Sequence, residues 1–190
     1  LLSFCAAKTQ AATSSILIDA QSGSVLYADN ANALRYPASL TKLMTLYITF
    51  NALENGTLSL DDNLKVSRNA ANRSPSRLGL TAGKTIDVRT AILATIIKSA
   101  NDCATVLGES LAKDEKSFAI LMTETAHELG MKDTTFKNAS GLPNSQQKTT
   151  ARDMAVLAAA IYHHFPQYYS WFSIPQFEYE GRTYKSHNDL

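Results

Sequence analysis

"YPASLTKLMTLYITF", residues 36–50, is an apolar segment with one charge in it. Leu40, Leu43, Met44 and Tyr47 fall at i, i+3, i+4 and i+7, the spacing of one helix face, and the pattern runs on to Leu53 before Asn55-Gly56 ends it. Tyrosines aside, Lys42 is the only ionisable group between Arg35 and Glu54. It stands three residues after Ser39, and positions i and i+3 are neighbours on a helix surface, so the Ser39 hydroxyl falls within reach of the Lys42 amine. A serine hydroxyl attacks poorly at neutral pH unless an adjacent group takes its proton. Lysine can do so only when neutral, and burial in an apolar helix and the positive end of the helix dipole both disfavour the ammonium. Pro37, just ahead, suits a helix entrance whose free amides can face an oxyanion. The same pair also reads as a capping serine beside a lysine that snorkels to solvent.

Outward from this helix the chain runs from strands to helices and back to strands. "TSSILIDAQSGSVLYADN" (13–30) alternates apolar residues around Gln-Ser-Gly-Ser and predicts a hairpin. The spacing of Ile92, Leu93, Ile96 and Ile97 predicts a helix over 87–98, and another follows Asp102 as its N-cap. A further one runs over 115–129 from Asp114 to Gly130, and the next is opened by Thr150 and Asp153 in a capping box and closed by Pro166. "QFEYEGRTYKSH" alternates again across Glu180-Gly181 as a second hairpin. The polar stretch 54–86 is expected to form surface loops and short strands. Hairpins pair antiparallel, so a helical block that leaves and re-enters one antiparallel sheet fits this order better than a βαβ alternation. The expected class is mixed α/β, of the α+β kind, with residues 13–190 belonging to one domain.

The bulk numbers exclude several functions. The chain of 190 residues, 45 % apolar, is long enough for one cored domain. Eighteen basic residues against seventeen acidic leave a formal +1 without a run of like charge, so no nucleic-acid partner is expected. No apolar run is long enough to span a bilayer. "LLSFCAAKTQAA" (1–12) resembles the tail of a secretory signal peptide or a disordered arm, which suggests export. No metal or cofactor is expected. "GLTAGKT" (79–85) has one residue too few between its glycines for a phosphate-binding loop, and "HELGM" (127–131) ends in methionine where a second zinc ligand would stand. Cys103 reads as a small buried thiol, and Tyr168, Tyr169, Trp171 and Phe172 as aromatics that pack a short helix or edge a substrate site.

A second chemical element is "KSAND" (98–102), where Ser99 and Asn101 sit two residues apart at the end of an apolar helix. A hydroxyl and a carboxamide so placed can relay a proton and hold a carbonyl, although the same residues also read as a helix stop. Together, in this order, Ser39-x-x-Lys42 and Ser99-x-Asn101 match two elements of the penicillin-recognising serine enzymes. "ILIDAQSGSVLYADNANALRYPASLTKLMT", "IIKSANDCATVLGE", "GMKDTTFKNASGLPN" and "TTARDMAVLA" resemble successive stretches of the low-molecular-mass penicillin-binding proteins, the serine-type D-alanyl-D-alanine carboxypeptidases. The resemblance covers nearly all of 13–165. It implies the β-lactamase/transpeptidase-like fold, a helical cluster on an antiparallel sheet with the site between them. It implies Ser39 as the acylated nucleophile, Lys42 as its activating base, and Ser99 with Asn101 as relay and substrate-positioning pair. The implied partners are a peptidoglycan stem peptide ending in D-Ala-D-Ala and β-lactams as covalent inhibitors. The implied location is the periplasm or cell envelope, with relatives anchored to the membrane by a C-terminal amphipathic helix.

The family's third element, Lys-Thr-Gly, does not occur here: Lys84-Thr85 continues with Ile86 and Lys148-Thr149 with Thr150. Relatives carry it soon after the segment resembling "YKSHNDL", so the C-terminal strands of the sheet are expected to be missing or supplied by a second polypeptide. A class A-like β-lactamase is a rival, but it needs a Glu-x-x-Leu-Asn that 100–190 lacks. A D,D-endopeptidase and a non-catalytic wall-binding fragment stay open. Without the third element's grip on a substrate carboxylate, the 190-residue chain is expected to acylate slowly and to recover once a Lys-Thr-Gly segment is joined to it. Intact-mass measurement after incubation with a β-lactam checks this, and fast, full labelling of the chain alone would refute it.

Overall fold

The alternating residues on either side of Gly23 form an antiparallel hairpin of β1 (Ser15–Ile18) and β2 (Val25–Asp29), registered from Ser15 against Asp29 to Ile18 against Val25. The computed structural model describes residues 13–186, so the signal-peptide tail expected over 1–12 lies outside the described residues. A 3-10 turn, Ala38–Leu40, then leads into α1 (Thr41–Glu54). A one-face stripe understates this helix. Thr41, Lys42, every residue from Met44 to Phe50, and Ala52 are buried, whereas Leu40, read as the first inward position, is exposed in the 3-10 turn. Thr45 and Thr49 tolerate the interior because their hydroxyls donate to the Ala139 carbonyl at 2.7 Å and the Thr45 carbonyl at 2.8 Å.

Around α1 stand α2 (Arg68–Ala71), α3 (Val88–Ile97), α4 (Asn101–Leu111), α5 (Glu115–Glu128), α6 (Ala151–His164) and the short α7 (Pro166–Tyr169). Met44, Phe50, Ile92, Ile97, Leu107, Phe118, Met122 and Leu157 pack at their common centre with almost no exposed surface. The stretch expected as surface loops does supply β3 (Asn63–Lys65) and β4 (Thr85–Asp87), but Leu58, Leu64, Val66, Ala70, Leu78, Leu80 and Ile86 from it enter the core. Its apolar residues come singly or in pairs among polar ones, which hides a buried segment from periodicity. Tyr168 stacks on Phe50 at 4.8 Å between ring centroids, so the aromatic cluster does pack α7 onto the body.

Local signals set most helix starts. Asp87 caps α3 by accepting from the Thr90 amide, and Asp114 caps α5 by accepting from the Ser117 amide. Thr150 accepts from the Asp153 amide, but the return half of the expected capping box is absent. Asp153 accepts instead from the Asp133 amide at 2.9 Å and the Thr134 hydroxyl at 2.7 Å, tying α6 to the loop after α5. Asp102 is likewise not an N-cap. That position belongs to Ala100, and the fully buried Asp102 carboxylate accepts from the amides of Leu78, Gly79, Leu80 and Cys103 at 2.8–3.0 Å. Three loop amides that lack a ladder partner make a better claim on the carboxylate than one helix end. Beside it Cys103 is buried, and burial pushes its thiol well above the ordinary range.

The last hairpin, β5 (Gln176–Tyr179) and β6 (Arg182–Lys185), turns at Glu180 and Gly181 with φ of +47° and +73°, both left-handed as a two-residue hairpin turn requires. Strand pairing is antiparallel throughout, as expected of the α+β class. Among the described residues the strands form three separate two-stranded pairs, β1–β2, β3–β4 and β5–β6, not the single sheet inferred from strand order. Each strand pairs with the next strand in chain order, across a tight turn in β1–β2 and β5–β6 and across α2 in β3–β4. Replacing Asp102 by Ala strands the Leu78 and Leu80 amides in the interior and should lower stability by about 3 kcal/mol; urea denaturation of the variant against the parent measures it.

Candidate active site

The 3-10 turn before α1, the buried face of α1 and the end of α3 meet at one cleft of about 620 Å³. Ser39, Lys42 and Ser99 line it together with Leu43, Leu46, Thr95, Ile96 and Ile97, and Phe172 and Ser186 reach it from the C-terminal part of the chain. Three of the four candidate residues are thus brought together from positions far apart in sequence. Ser39 is exposed, while Lys42 retains only 3 % of its surface. The lysine does not snorkel: its Nζ donates to the Ser140 carbonyl at 2.6 Å. Burial lowers its pKa from the ordinary 10.5 to about 8, and the positive end of α1 acts in the same sense. Among the described residues no hydrogen bond joins Ser39 to Lys42, so the expected pair shares a cleft without being bonded across it. An amine that spends one N–H on a carbonyl keeps its lone pair for another proton.

Two backbone positions at this cleft are strained. Ala38, immediately before Ser39, has φ of +47°, and Ser99 has φ of +54°, a region that residues with a Cβ seldom occupy. Contacts around each one hold it there. Gly141 lies against the Ala38 carbonyl so closely that a Cβ on it would sit 1.8 Å from that oxygen. Ser99 is flanked by Lys98 and Ala100, whose amides both donate to the Ala94 carbonyl, while the Ser76 hydroxyl donates to the Lys98 carbonyl.

Asn101 is not among the residues that line the cleft. It is buried at the start of α4, its amide donates to the Ser76 carbonyl at 2.8 Å, and its carboxamide nitrogen donates to the Ser74 carbonyl at 3.3 Å. In this conformation it secures the 72–80 loop.

Residues 138–142 bear on the lysine through a turn that helix and strand patterns do not reveal. Asn138 Oδ1 accepts from the amides of Ser140, Gly141 and Leu142, and Asn138 Nδ2 donates to the Leu142 carbonyl at 2.9 Å. This one side chain folds the loop that points the Ser140 carbonyl at Lys42. A sequence signal exists in Asn138 followed by Gly141 and Pro143, a turn composition, but not in what the turn faces.

His127 pairs with the Thr134 carbonyl, His163 with the Ala20 carbonyl and His164 with the Tyr47 hydroxyl. Among the described residues no group of three His, Cys, Asp or Glu side chains is placed to hold a metal, and no helix is long and apolar enough to cross a membrane.

Residues 3–190 match the family profile described as D-alanyl-D-alanine carboxypeptidase. The chain belongs to that family. It is 35 % identical over 181 residues to the D-alanyl-D-alanine carboxypeptidase DacD of Escherichia coli, covering 92 % of this chain and 47 % of that protein. Penicillin binding protein 5 of Haemophilus influenzae superposes with a TM-score of 0.88 at 30 % identity, over 92 % of this chain and 52 % of that one. Penicillin-Binding Protein D2 of Listeria monocytogenes, solved in its ampicillin-bound form, gives 0.82 at 32 % identity, over 94 % and 73 %. The penicillin-binding-protein fold implied by the sequence is therefore the fold observed. The chain spans about half the length of the curated relatives it matches.

The depressed lysine carries a sign for stability. Between about pH 8 and 10.5 the unfolded chain still binds a proton at position 42 that the folded chain has released, so this group adds stability as pH rises across that window, and its full burial penalty is felt below it. Denaturant unfolding of the protein and of Lys42→Met across the window should show the parent gaining on the variant. Parallel curves would mean that the amine titrates like a surface lysine.

Proposed function

We propose that this chain is the acylating part of a serine-type D-Ala-D-Ala carboxypeptidase acting on peptidoglycan stem peptides at the cell envelope, and that β-lactams acylate the same serine. What supports this most directly is a lysine 3 % exposed, its pKa lowered to about 8, lining one cleft with two serine hydroxyls. At neutral pH a useful fraction of that amine is unprotonated, which an exposed lysine cannot offer.

In this proposal Ser39 Oγ attacks the carbonyl of the penultimate D-alanine and its proton passes to Lys42. The C–N bond then breaks, Ser99 relays a proton to the departing nitrogen, and free D-alanine leaves an ester on Ser39. Water attacks that ester and gives its proton to the amine; the ester C–O bond breaks, Lys42 returns the proton to Ser39 Oγ, and the shortened peptide departs as its acid. With a β-lactam the broken amide belongs to a ring, so the leaving nitrogen stays tethered and the ester persists. Asn101 positions the substrate carbonyl by turning its carboxamide away from the Ser74 carbonyl, to which it makes only a 3.3 Å bond. Strain at Ala38 and Ser99 belongs to the same design, since each holds a hydroxyl-bearing segment where relaxed backbone would not.

Release of D-alanine from a peptide ending in D-Ala-D-Ala, and acylation by a labelled penicillin, should both vanish in Ser39→Ala and fall by roughly 1,000-fold in Lys42→Ala, since removing one member of such a pair removes most of its rate advantage. In the parent the acylation rate should climb with pH through about 8, as the amine loses its proton. Peptide binding that survives both substitutions, with no D-alanine released by the parent even after a Lys-Thr-Gly segment is joined to it, would instead make the chain a wall-binding module.

A further inference from the structure

We infer that Glu115 is a positioning residue for Lys42, holding from outside the cleft the loop carbonyl on which the lysine amine rests. The inference depends on Ser39 and Lys42 being the acylating pair. Glu115 opens α5 and is 7 % exposed. Its two oxygens face different ways. Oε2 pairs with the Arg73 guanidinium and accepts from Asn69 Nδ2 at 3.0 Å, both from the region around α2. Oε1 accepts from the Thr105 hydroxyl of α4 and from the Ala139 amide, each at 3.3 Å. Ala139 is the residue before Ser140.

The segment Ala139–Ser140 is therefore pinned at three points in sequence. Glu115 takes the Ala139 amide, the Thr45 hydroxyl donates to the Ala139 carbonyl at 2.7 Å, and Lys42 Nζ donates to the Ser140 carbonyl at 2.6 Å. Thr45 and Lys42 are neighbours on α1, so they and the segment move together. Without Glu115 that unit is held by α1 and by the Asn138 side chain of its own loop. With it, the unit is fixed to α4 and α5 and, through Arg73 and Asn69, to the loop that Asn101 and Asp102 secure.

A carboxylate can serve both sides because it has an acceptor oxygen for each; an amide has only one. In Glu115→Gln the Arg73 guanidinium, as the charged donor, takes the remaining oxygen and turns the amide NH2 against the Ala139 N–H. Two donors facing each other push the segment away from position 115 and disturb the seat of the Ser140 carbonyl on Lys42. Glu109 makes a contrasting control: it accepts from the same Asn69 nitrogen at 2.8 Å and lines the same polar pocket, but makes no bond to residues 138–142 among the described residues.

The test separates noncovalent binding of a fluorescent penicillin from the first-order acylation step in the full-length protein. Glu115→Gln should slow the acylation step by about 10-fold, the size of effect expected when a reacting group shifts by a fraction of an ångström, and leave binding within about 3-fold. Glu109→Gln should change neither. Acylation at the parent rate in Glu115→Gln, an equal loss in Glu109→Gln, or a loss confined to binding would each overturn the inference. Amide hydrogen exchange on the parent gives a second reading that does not require the variant to fold: the Ala139 amide should be strongly protected, and free exchange there would equally overturn it. If Lys42→Ala keeps the parent acylation rate, the catalytic pair itself is wrong, an outcome separate from any result at position 115.

Discussion

The site depends on one contact, the hydrogen bond from the buried Lys42 amine to the Ser140 carbonyl. An amine buried without an acceptor would be costly, and one paired with a carboxylate would be held as an ammonium. A backbone carbonyl avoids both: it is neutral, accepts from either protonation state, and lets burial set the pKa. Much of the surrounding structure serves to bring that carbonyl to that amine. Asn138 folds the loop, Gly141 allows it to lie on the Ala38 carbonyl, and Thr45 receives the preceding residue.

The same contact needs a helix that is enclosed on nearly every side. An amphipathic helix would leave Lys42 a route to solvent, and its pKa would return to the normal range. α1 is surrounded by α3, α4, α5 and α6; the Thr45 and Thr49 hydroxyls are satisfied on the 138–142 loop and within the helix, while the buried Thr41 hydroxyl has no hydrogen-bond partner among the described residues. Two buried carboxylates then hold the outer loops. Asp102 gathers the amides of residues 78–80, and Glu115 joins the 68–73 region to Ala139. Each acts at a distance in sequence, and each takes up amides that neither helix nor strand would have satisfied.

Much of this was legible beforehand because it is local. The two hairpins, the start of α3 at Asp87, the run of α5 from Asp114 to Gly130, and the helix carrying Lys42 all follow from spacing and end residues within a few positions. The misreadings share one cause. Asp102 and Asp153 look like caps because caps are the local use of an aspartate at those positions, and both were claimed by amides or hydroxyls from remote loops. Residues 54–86 look like surface because their apolar side chains have no period, yet they fill gaps between helices whose positions the segment itself does not encode.

The sequence alone determined the chemistry that was available: a serine one turn before a lone lysine, a second serine and an asparagine at a helix end, and no metal-binding or phosphate-binding pattern that closes. Those are matters of residue type and short spacing, which covalent connectivity imposes. Only the tertiary structure decided which of those groups meet. It placed Ser99 in the cleft with Ser39 and Lys42, turned Asn101 toward the Ser74 carbonyl, and brought the Ser140 carbonyl to the amine. The lowering of the lysine's pKa is likewise a property of the packed molecule, because desolvation is the sum of every neighbour that excludes water, and most of those neighbours come from other parts of the chain.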